Sequence, residues 1–127
     1  MTSGVATVCA VIVTMLASIA QIMLKAGIGA ATRGESLNPA VISAMARVIF
    51  TPMVLAALVL YGIAAVVWIA ILAKLPLSTA YPILGLTFVF VPLLSALLLR
   101  EPISAAQLGG ALLIVIGVAL VNGRLFV

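Results

Sequence analysis

Charged side chains are scarce in this sequence, which has six Lys or Arg, two Asp or Glu and no His among 127 residues. Soluble domains carry about 25% charged residues, whereas this chain has 6% and is 67% hydrophobic. Eight charged side chains cannot cover that much apolar surface in water. We therefore expect lipid, rather than water, to surround most of the chain, which excludes the soluble fold classes.

The scarcity of charged and metal-binding side chains also excludes most chemical functions. Without His, and with Cys9 as its single cysteine, the chain lacks the ligands of a conventional zinc site and cannot form an intramolecular disulfide. The sequence contains no nucleophile–base pair and no phosphate-binding loop. We predict that the protein is not an enzyme and binds no metal or cofactor. The basic residues stand singly at the ends of apolar runs, so the net charge of +4 provides no surface for nucleic acid.

Long uncharged runs make up most of the sequence. Each can cross about 30 Å of hydrocarbon as a helix that rises about 1.5 Å per residue. The runs are continuously apolar rather than alternating, which favours helices over a barrel. We predict an all-α integral membrane protein with a single domain over residues 1–127 and four transmembrane helices joined by short loops. The predicted helices span residues 4–26, 52–73, 77–99 and 104–121.

The first run ends at Gly27-Ile28-Gly29, where we expect the helix to break. It has no basic start of the kind that a secretory signal carries, so we expect it to remain as a mature helix. A polar loop is predicted from Thr32 to Asn38. The segment 39–50 is amphipathic and indicates either a short helix on the membrane surface or an early start of the second helix. Its apolar face consists of Val41, Ile42, Met45, Val48 and Ile49.

The basic residues also predict an orientation. Neighbouring helices joined by short turns are antiparallel, which divides the basic residues between the two sides of the membrane. The more basic side faces the cytoplasm in most membrane proteins, which favours a cytoplasmic first loop and an external amino terminus. One side holds Lys25, Arg33, Arg47 and Arg100, and the other holds Lys74 and Arg124.

A polar stripe runs along the first helix. Ser18, Gln21 and Lys25 follow one another at intervals of three and four residues, so they share one helix face. Polar side chains in a membrane helix point away from lipid, towards a cavity or another helix. One interpretation is that Lys25 contacts an anionic headgroup such as a phosphate and the other two line its path. The alternative is that Lys25 anchors the helix end at the interface.

Three further side chains are candidates for substrate contact. Trp68 shares a face of the second helix with Tyr61 and lies too deep in its run for a simple interfacial belt. Tyr81 would bring a hydroxyl into the third helix. Glu101 follows Arg100 at the end of that helix, where an ion pair or a helix-end charge is the better explanation on physical grounds.

The third and fourth helices carry residues that shape a helix bundle. Pro82 and Pro92 each remove a backbone hydrogen bond, so we expect hinges at both positions. Small residues let membrane helices approach closely. Gly109, Gly110 and Gly117 therefore indicate a dimerisation surface on the fourth helix.

Several segments resemble a known superfamily. Residues 73–83, Ala-Lys-Leu-Pro-Leu-Ser-Thr-Ala-Tyr-Pro-Ile, resemble the start of helix three in four-helix members of the drug/metabolite transporter superfamily, and residues 100–104 with 109–110 resemble the same group. Residues 110–118 are similar to the helix-four dimerisation motif of the small multidrug resistance family. That resemblance implies a dimer interface at Gly110, Leu113, Ile114 and Gly117.

Two branches of the superfamily compete. Small multidrug resistance transporters exchange protons for cationic drugs through a glutamate in helix one, but residues 16–21 here read Leu-Ala-Ser-Ile-Ala-Gln. Without a carboxylate in that helix, the proton-coupled mechanism cannot be carried over. Ser18-Gln21-Lys25, Tyr81-Pro82 and residues 101–104 instead resemble the flippase subunits for aminoarabinose linked to undecaprenyl phosphate. The combined candidate substrate-binding residues are Ser18, Gln21, Lys25, Trp68, Tyr81 and Glu101.

The resemblance implies a protein of the bacterial inner membrane, in contact with membrane lipid, that translocates a polyprenyl-phosphate-linked sugar. A chain of 13.0 kDa is small for enclosing a polar substrate alone. We expect a homodimer, or a heterodimer with a homologous four-helix subunit, in a parallel or antiparallel arrangement. Two other functions stay open, an exporter of small polar or cationic metabolites and a non-transporting assembly subunit of a membrane enzyme complex.

Overall fold

The computed structural model describes residues 2–32 and 41–123. The predicted loop after Thr32, the first residues of the amphipathic segment and the basic residue Arg124 lie outside the described residues. The described elements are α1 (Ser3–Thr32), α2 (Val41–Ile49), α3 (Pro52–Leu72), α4 (Leu77–Leu84), α5 (Thr87–Leu94), a π-helical turn (Ser95–Leu99) and α6 (Ala105–Asn122).

Four segments are long and apolar enough to cross a membrane. The described ranges contain no strand, so every element that could span the bilayer is helical. The predicted fold class, an all-α integral membrane protein with four transmembrane helices, is confirmed. The four segments are Gly4–Ala31, Pro52–Leu72, Leu77–Leu99 and Ala105–Asn122.

Helix α1 is longer than the sequence predicts. It continues to Thr32 instead of ending at Ala26. The predicted break fell on Gly27, but this glycine is buried where α1 crosses α3. A Cβ at Gly27 would lie 2.8 Å from Val54 Cγ2 and 3.2 Å from the Val54 backbone nitrogen. The glycine therefore permits a close helix contact, and that packing outweighs its low helix propensity.

Helix α1 occupies the centre of the described bundle. It packs mainly against α3 and also contacts α4 and α5. Its buried face is made of small residues, which let the neighbouring backbones approach closely. The buried apolar core consists of Ala6, Ala10, Val13, Ala64, Ile71, Leu75, Ala80 and Ile83.

A separate short helix precedes α3. Helix α2 ends at Ile49, and Thr51 has an extended backbone (φ −63°, ψ 130°) before Pro52 begins α3. Proline suits this first helical position because its missing N–H has no partner there in any helix. The chain thus contains a distinct helix rather than an early start of the second span. Its place on the membrane surface stays a prediction.

The third span is divided in two places. Helix α4 contains Pro82 and ends at Leu84, and α5 contains Pro92 and runs into the π-helical turn. At the first division the N–H groups of Gly85 and Leu86 donate to carbonyls three residues back. Each irregularity lies about one turn after its proline, whereas the missing backbone donor of a proline disturbs the turn before it, so the prolines alone do not account for the two divisions. Hinge motion at these prolines stays a prediction.

Helix α6 lies at the edge of the bundle. It contacts α4 and α5, and Ile114 Cγ2 lies 3.8 Å from the position that a Cβ on Gly85 would take. Ile114 therefore packs within the protomer. The other three predicted interface residues, Gly110, Leu113 and Gly117, are exposed. They are available to a partner, and the dimer interface stays a prediction.

Candidate substrate site

The candidate site is built on an ion pair between two helix ends. The Lys25 ammonium donates a hydrogen bond to Glu101 Oε1, across 76 residues of sequence. Because α1 continues to Thr32, Lys25 lies seven residues before its end, roughly 10 Å inside the helix. Whether Lys25 also anchors α1 at the membrane interface stays a prediction. The side chains of Lys25 and Glu101 are 61% and 41% exposed, so both remain accessible.

A π-helical turn presents Glu101 to α1. The Ser95 hydroxyl donates to Glu101 Oε2, and the backbone N–H groups of Arg100 and Glu101 donate to the Ser95 carbonyl. Arg100 takes a left-handed backbone conformation with φ 56°. This turn reverses the chain and points the carboxylate back over the end of α1. Single π-helical turns are frequent at functional sites.

Two donors control the charge of Glu101. The hydrogen bond from Lys25 lowers the pKa of the Glu101 carboxyl, and the hydrogen bond from Ser95 lowers it further. Both donors stabilise the ionised form, because each hydrogen bond is stronger to a charged acceptor. The lowered pKa keeps the Glu101 carboxyl ionised at neutral pH.

The ion pair borders an open cavity of about 270 Å³. The amide side chains of Gln21 and Gln107 add both donors and acceptors to its lining. Such a cavity offers charged and neutral partners to a polar ligand at the end of an otherwise apolar bundle. The other lining residues are Ile22, Val91, Pro92, Ser95, Pro102 and Ile103.

The start of α6 fixes one wall of this cavity. The Ser104 backbone N–H donates to Gln107 Oε1 at 2.8 Å, and the Gln107 N–H donates to Ser104 Oγ at 3.2 Å. This reciprocal capping box satisfies two backbone donors at the helix start. It holds Gln107 in place beside the short connection that carries Glu101.

Ser18 is separate from its predicted neighbours. Its side chain is fully buried (0% exposed), and its hydroxyl donates to the Thr14 carbonyl at 2.8 Å. A small hydroxyl can satisfy itself on the preceding turn in this way. Of the predicted stripe, Gln21 and Lys25 line the cavity and Ser18 does not. A substrate contact of Ser18 stays a prediction.

A second, apolar cavity lies deeper, between α1 and α3. It measures about 160 Å³ and is bounded by Trp68 and Tyr61 together with apolar side chains that include Leu84. The Tyr61 and Gln21 side chains are hydrogen-bonded to each other. Gln21 therefore links the polar cavity to the aromatic one. Tyr81 lines neither of these cavities and is 61% exposed on α4.

Two residues of the site are absent from the sequence-based candidates. Ser95 and Gln107 resemble the ordinary small and amide residues of membrane helices. The one sequence feature that could have indicated them is their spacing, since each lies six residues from Glu101. Within the described ranges, no group of three His, Cys, Asp or Glu could hold a metal ion.

Four hydrophobic spans, three of which border an open polar cavity, are the architecture of a small helical membrane transporter. A profile of the EamA-like transporter family matches residues 1–123. The chain belongs to that family, which confirms the predicted superfamily. It is a multi-pass protein of the bacterial inner membrane.

Curated relatives carry a more specific name. The chain is 41% identical over 66 residues to the probable 4-amino-4-deoxy-L-arabinose-phosphoundecaprenol flippase subunit ArnE of Enterobacter sp., covering 52% of this chain and 62% of that one. It is 38% identical over 72 residues to the protein of the same name in Pseudomonas fluorescens (57% and 63%). For Pectobacterium atrosepticum the identity is 42% over 78 residues (61% and 68%).

The first two alignments span less than two thirds of the relatives' own lengths. No solved structure matches the chain.

Proposed function

We propose that this transporter is a flippase subunit that moves a polyprenyl-phosphate-linked aminosugar between the leaflets of the inner membrane. The Lys25–Glu101 ion pair carries the proposal, because it places a cation at a cavity within reach of a lipid headgroup. A lipid-linked phosphate can bind there while its polyprenyl chain stays in the bilayer. The names of the curated relatives support this substrate class.

The surroundings of Lys25 favour a phosphate over a cationic drug. No carboxylate lies within the four spans, and the carboxylate that lines the cavity, Glu101, is already paired with Lys25. A phosphate at the cavity finds the Lys25 ammonium and the amide donors of Gln21 and Gln107. Charged hydrogen bonds to phosphate oxygens are among the strongest that side chains make. The part of the substrate that lies next to Lys25 is therefore expected to be anionic.

Trp68 and Tyr61 extend the path into the bundle. Their cavity has an almost entirely apolar lining, and Tyr61 is hydrogen-bonded to Gln21, which lines the polar cavity. A sugar ring presents both apolar faces and hydroxyl edges, which an aromatic wall with one hydrogen-bonding amide can accept. We therefore place the translocation path along α1, between α3 and the divided third span.

The test is a flipping assay in inner-membrane vesicles of the native bacterium, which contain any partner subunit. The lipid-linked aminosugar that reaches the external leaflet is measured with a membrane-impermeant, amine-reactive label. We expect Lys25→Ala to reduce the labelling rate at least about tenfold, because the headgroup loses a charged hydrogen bond. Lys74→Ala is the matched control, since Lys74 is an exposed lysine between α3 and α4, at the other end of the bundle.

Unchanged flipping in Lys25→Ala vesicles, with the protein present at normal abundance, would overturn the proposal. Proton-coupled export of small cations without lipid flipping would instead identify a metabolite exporter. A purified chain that binds no polyprenyl phosphate but pulls down a membrane enzyme would identify an assembly subunit.

A further inference from the structure

Lys25 and Glu101 are each other's counter-ion in the described part of the chain. Glu101 is the sole acidic residue within the described ranges, and both of its oxygens are engaged, one by Lys25 and one by Ser95. The basic residue next to it in sequence, Arg100, is exposed. Charges near hydrocarbon are costly unless they are paired. Any ligand that takes Lys25 must therefore leave Glu101 with a replacement partner, or the exchange is unfavourable.

A purely anionic ligand cannot make that exchange without loss. If a phosphate takes the Lys25 ammonium, the Glu101 carboxylate keeps only the Ser95 hydroxyl, a neutral donor, and faces a second negative charge. Two like charges at one site disfavour each other's ionised forms, so the exchange leaves the Glu101 carboxylate in a worse position than the original pair did. The neutral amides of Gln21 and Gln107 do not replace a cation.

A zwitterionic ligand satisfies both residues. Its phosphate takes Lys25 and its ammonium takes Glu101, so one internal ion pair is replaced by two ligand ion pairs. From this geometry we infer that Glu101 is the specificity residue for a free amino group on the headgroup. The inference rests on the proposed function and adds to it the reason for an amine, rather than a hydroxyl or an amide, on the transported sugar.

The elements that carry the two residues suit such an exchange. The Lys25 ammonium sits on a flexible four-carbon stem and can follow a phosphate as it moves. Glu101 sits beyond a π-helical turn and a left-handed residue, in the connection that precedes α6. The Ser95 hydroxyl keeps the carboxylate aimed at the cavity while its cationic partner changes.

The inference is tested by competition binding to the full-length protein in nanodiscs. The two probes are the aminosugar phosphoundecaprenol and the same lipid with its amine acetylated, which removes the positive charge and adds a small neutral acetyl group. We expect the wild-type chain to prefer the free amine by about tenfold or more. Glu101→Gln should bind both lipids about equally, and Glu101→Asp, which keeps the charge, should restore part of the preference.

Glu35→Gln is the matched control, since Glu35 is the other acidic residue of the chain. A preference that survives in Glu101→Gln, or that Glu35→Gln abolishes instead, would overturn the inference. So would a wild-type chain that does not distinguish the two lipids, even if Lys25→Ala loses both and the proposed function stands. If the wild-type chain binds neither lipid, the proposed function fails as well. Size-exclusion profiles identical to wild type show that each variant is folded.

Discussion

At the scale of single residues, the two donors to Glu101 predict how its carboxyl titrates. Lys25 is the larger cause of its lowered pKa and Ser95 the smaller. Because the pKa of Glu101 is lowered, its ion pair with Lys25 is fully formed above the ordinary pKa of glutamate. The ion pair is lost as the pH falls through the lowered pKa. Lys25→Ala should raise the pKa most, and Ser95→Ala less.

Carboxyl ¹³C NMR of protein labelled at glutamate measures the pKa of Glu101 in each variant. Glu35→Gln leaves one glutamate signal, which assigns Glu101 without ambiguity. A larger pKa change in Ser95→Ala than in Lys25→Ala would show that the lysine is not the main partner in the membrane.

A pair of glycines in α1 predicts opposite effects of the same substitution. Gly27→Ala places a Cβ 2.8 Å from Val54 Cγ2 and 3.4 Å from Met53 Cβ, so α1 and α3 must separate. Overpacking of this kind costs about 1–3 kcal/mol. Gly29→Ala meets nothing within 4 Å and should stabilise the helix by about 1 kcal/mol. Unfolding in mixed detergent micelles with sodium dodecyl sulfate measures both, and equal effects would refute the close contact.

At the scale of elements, the turn after the π-helix predicts a stabilising substitution. Arg100 has a φ of 56°, a conformation that costs a non-glycine residue roughly 1–2 kcal/mol. Arg100→Gly removes that cost but adds freedom to the unfolded chain, so the expected net gain is about 0.5–1 kcal/mol. Arg100→Ala is the control, since it removes the same charge and keeps the strained backbone. The prediction fails if the two variants unfold at the same denaturant concentration.

The elements also show which features the sequence could predict. Charge-free runs were enough to locate four spans, because lipid imposes both the length and the composition of a spanning helix. The predicted end of α1 at Ala26 is wrong. The low helix propensity of glycine suggests a break at Gly27, but the contact that keeps it helical is with Val54 on another helix, which the local sequence does not reveal. The pairing of Lys25 with Glu101 could not be predicted either, since it depends on how the ends of α1 and the third span meet.

At the scale of the whole molecule, α6 presents the surface on which a second subunit would pack. Gly110, Leu113 and Gly117 are exposed and form one stripe, within about 60° of each other at roughly 100° per residue. Ile114, about 40° from Gly110 around the helix, borders this stripe on the side that packs towards Gly85. A stripe with two glycines lets a partner helix approach closely, and we expect the dimer to form here.

Cysteine cross-linking in native membranes tests this arrangement, in a Cys9→Ala background because Cys9 is the only native cysteine. Disulfides require Cα atoms within about 7 Å.

A parallel homodimer predicts that Gly110→Cys and Gly117→Cys each link to themselves. An antiparallel homodimer predicts a link between those two variants instead, and a heterodimer predicts a link only to a partner of different mass. Ala119→Cys, exposed on the opposite flank of α6, is the control; links there but not along the glycine stripe would place the interface elsewhere.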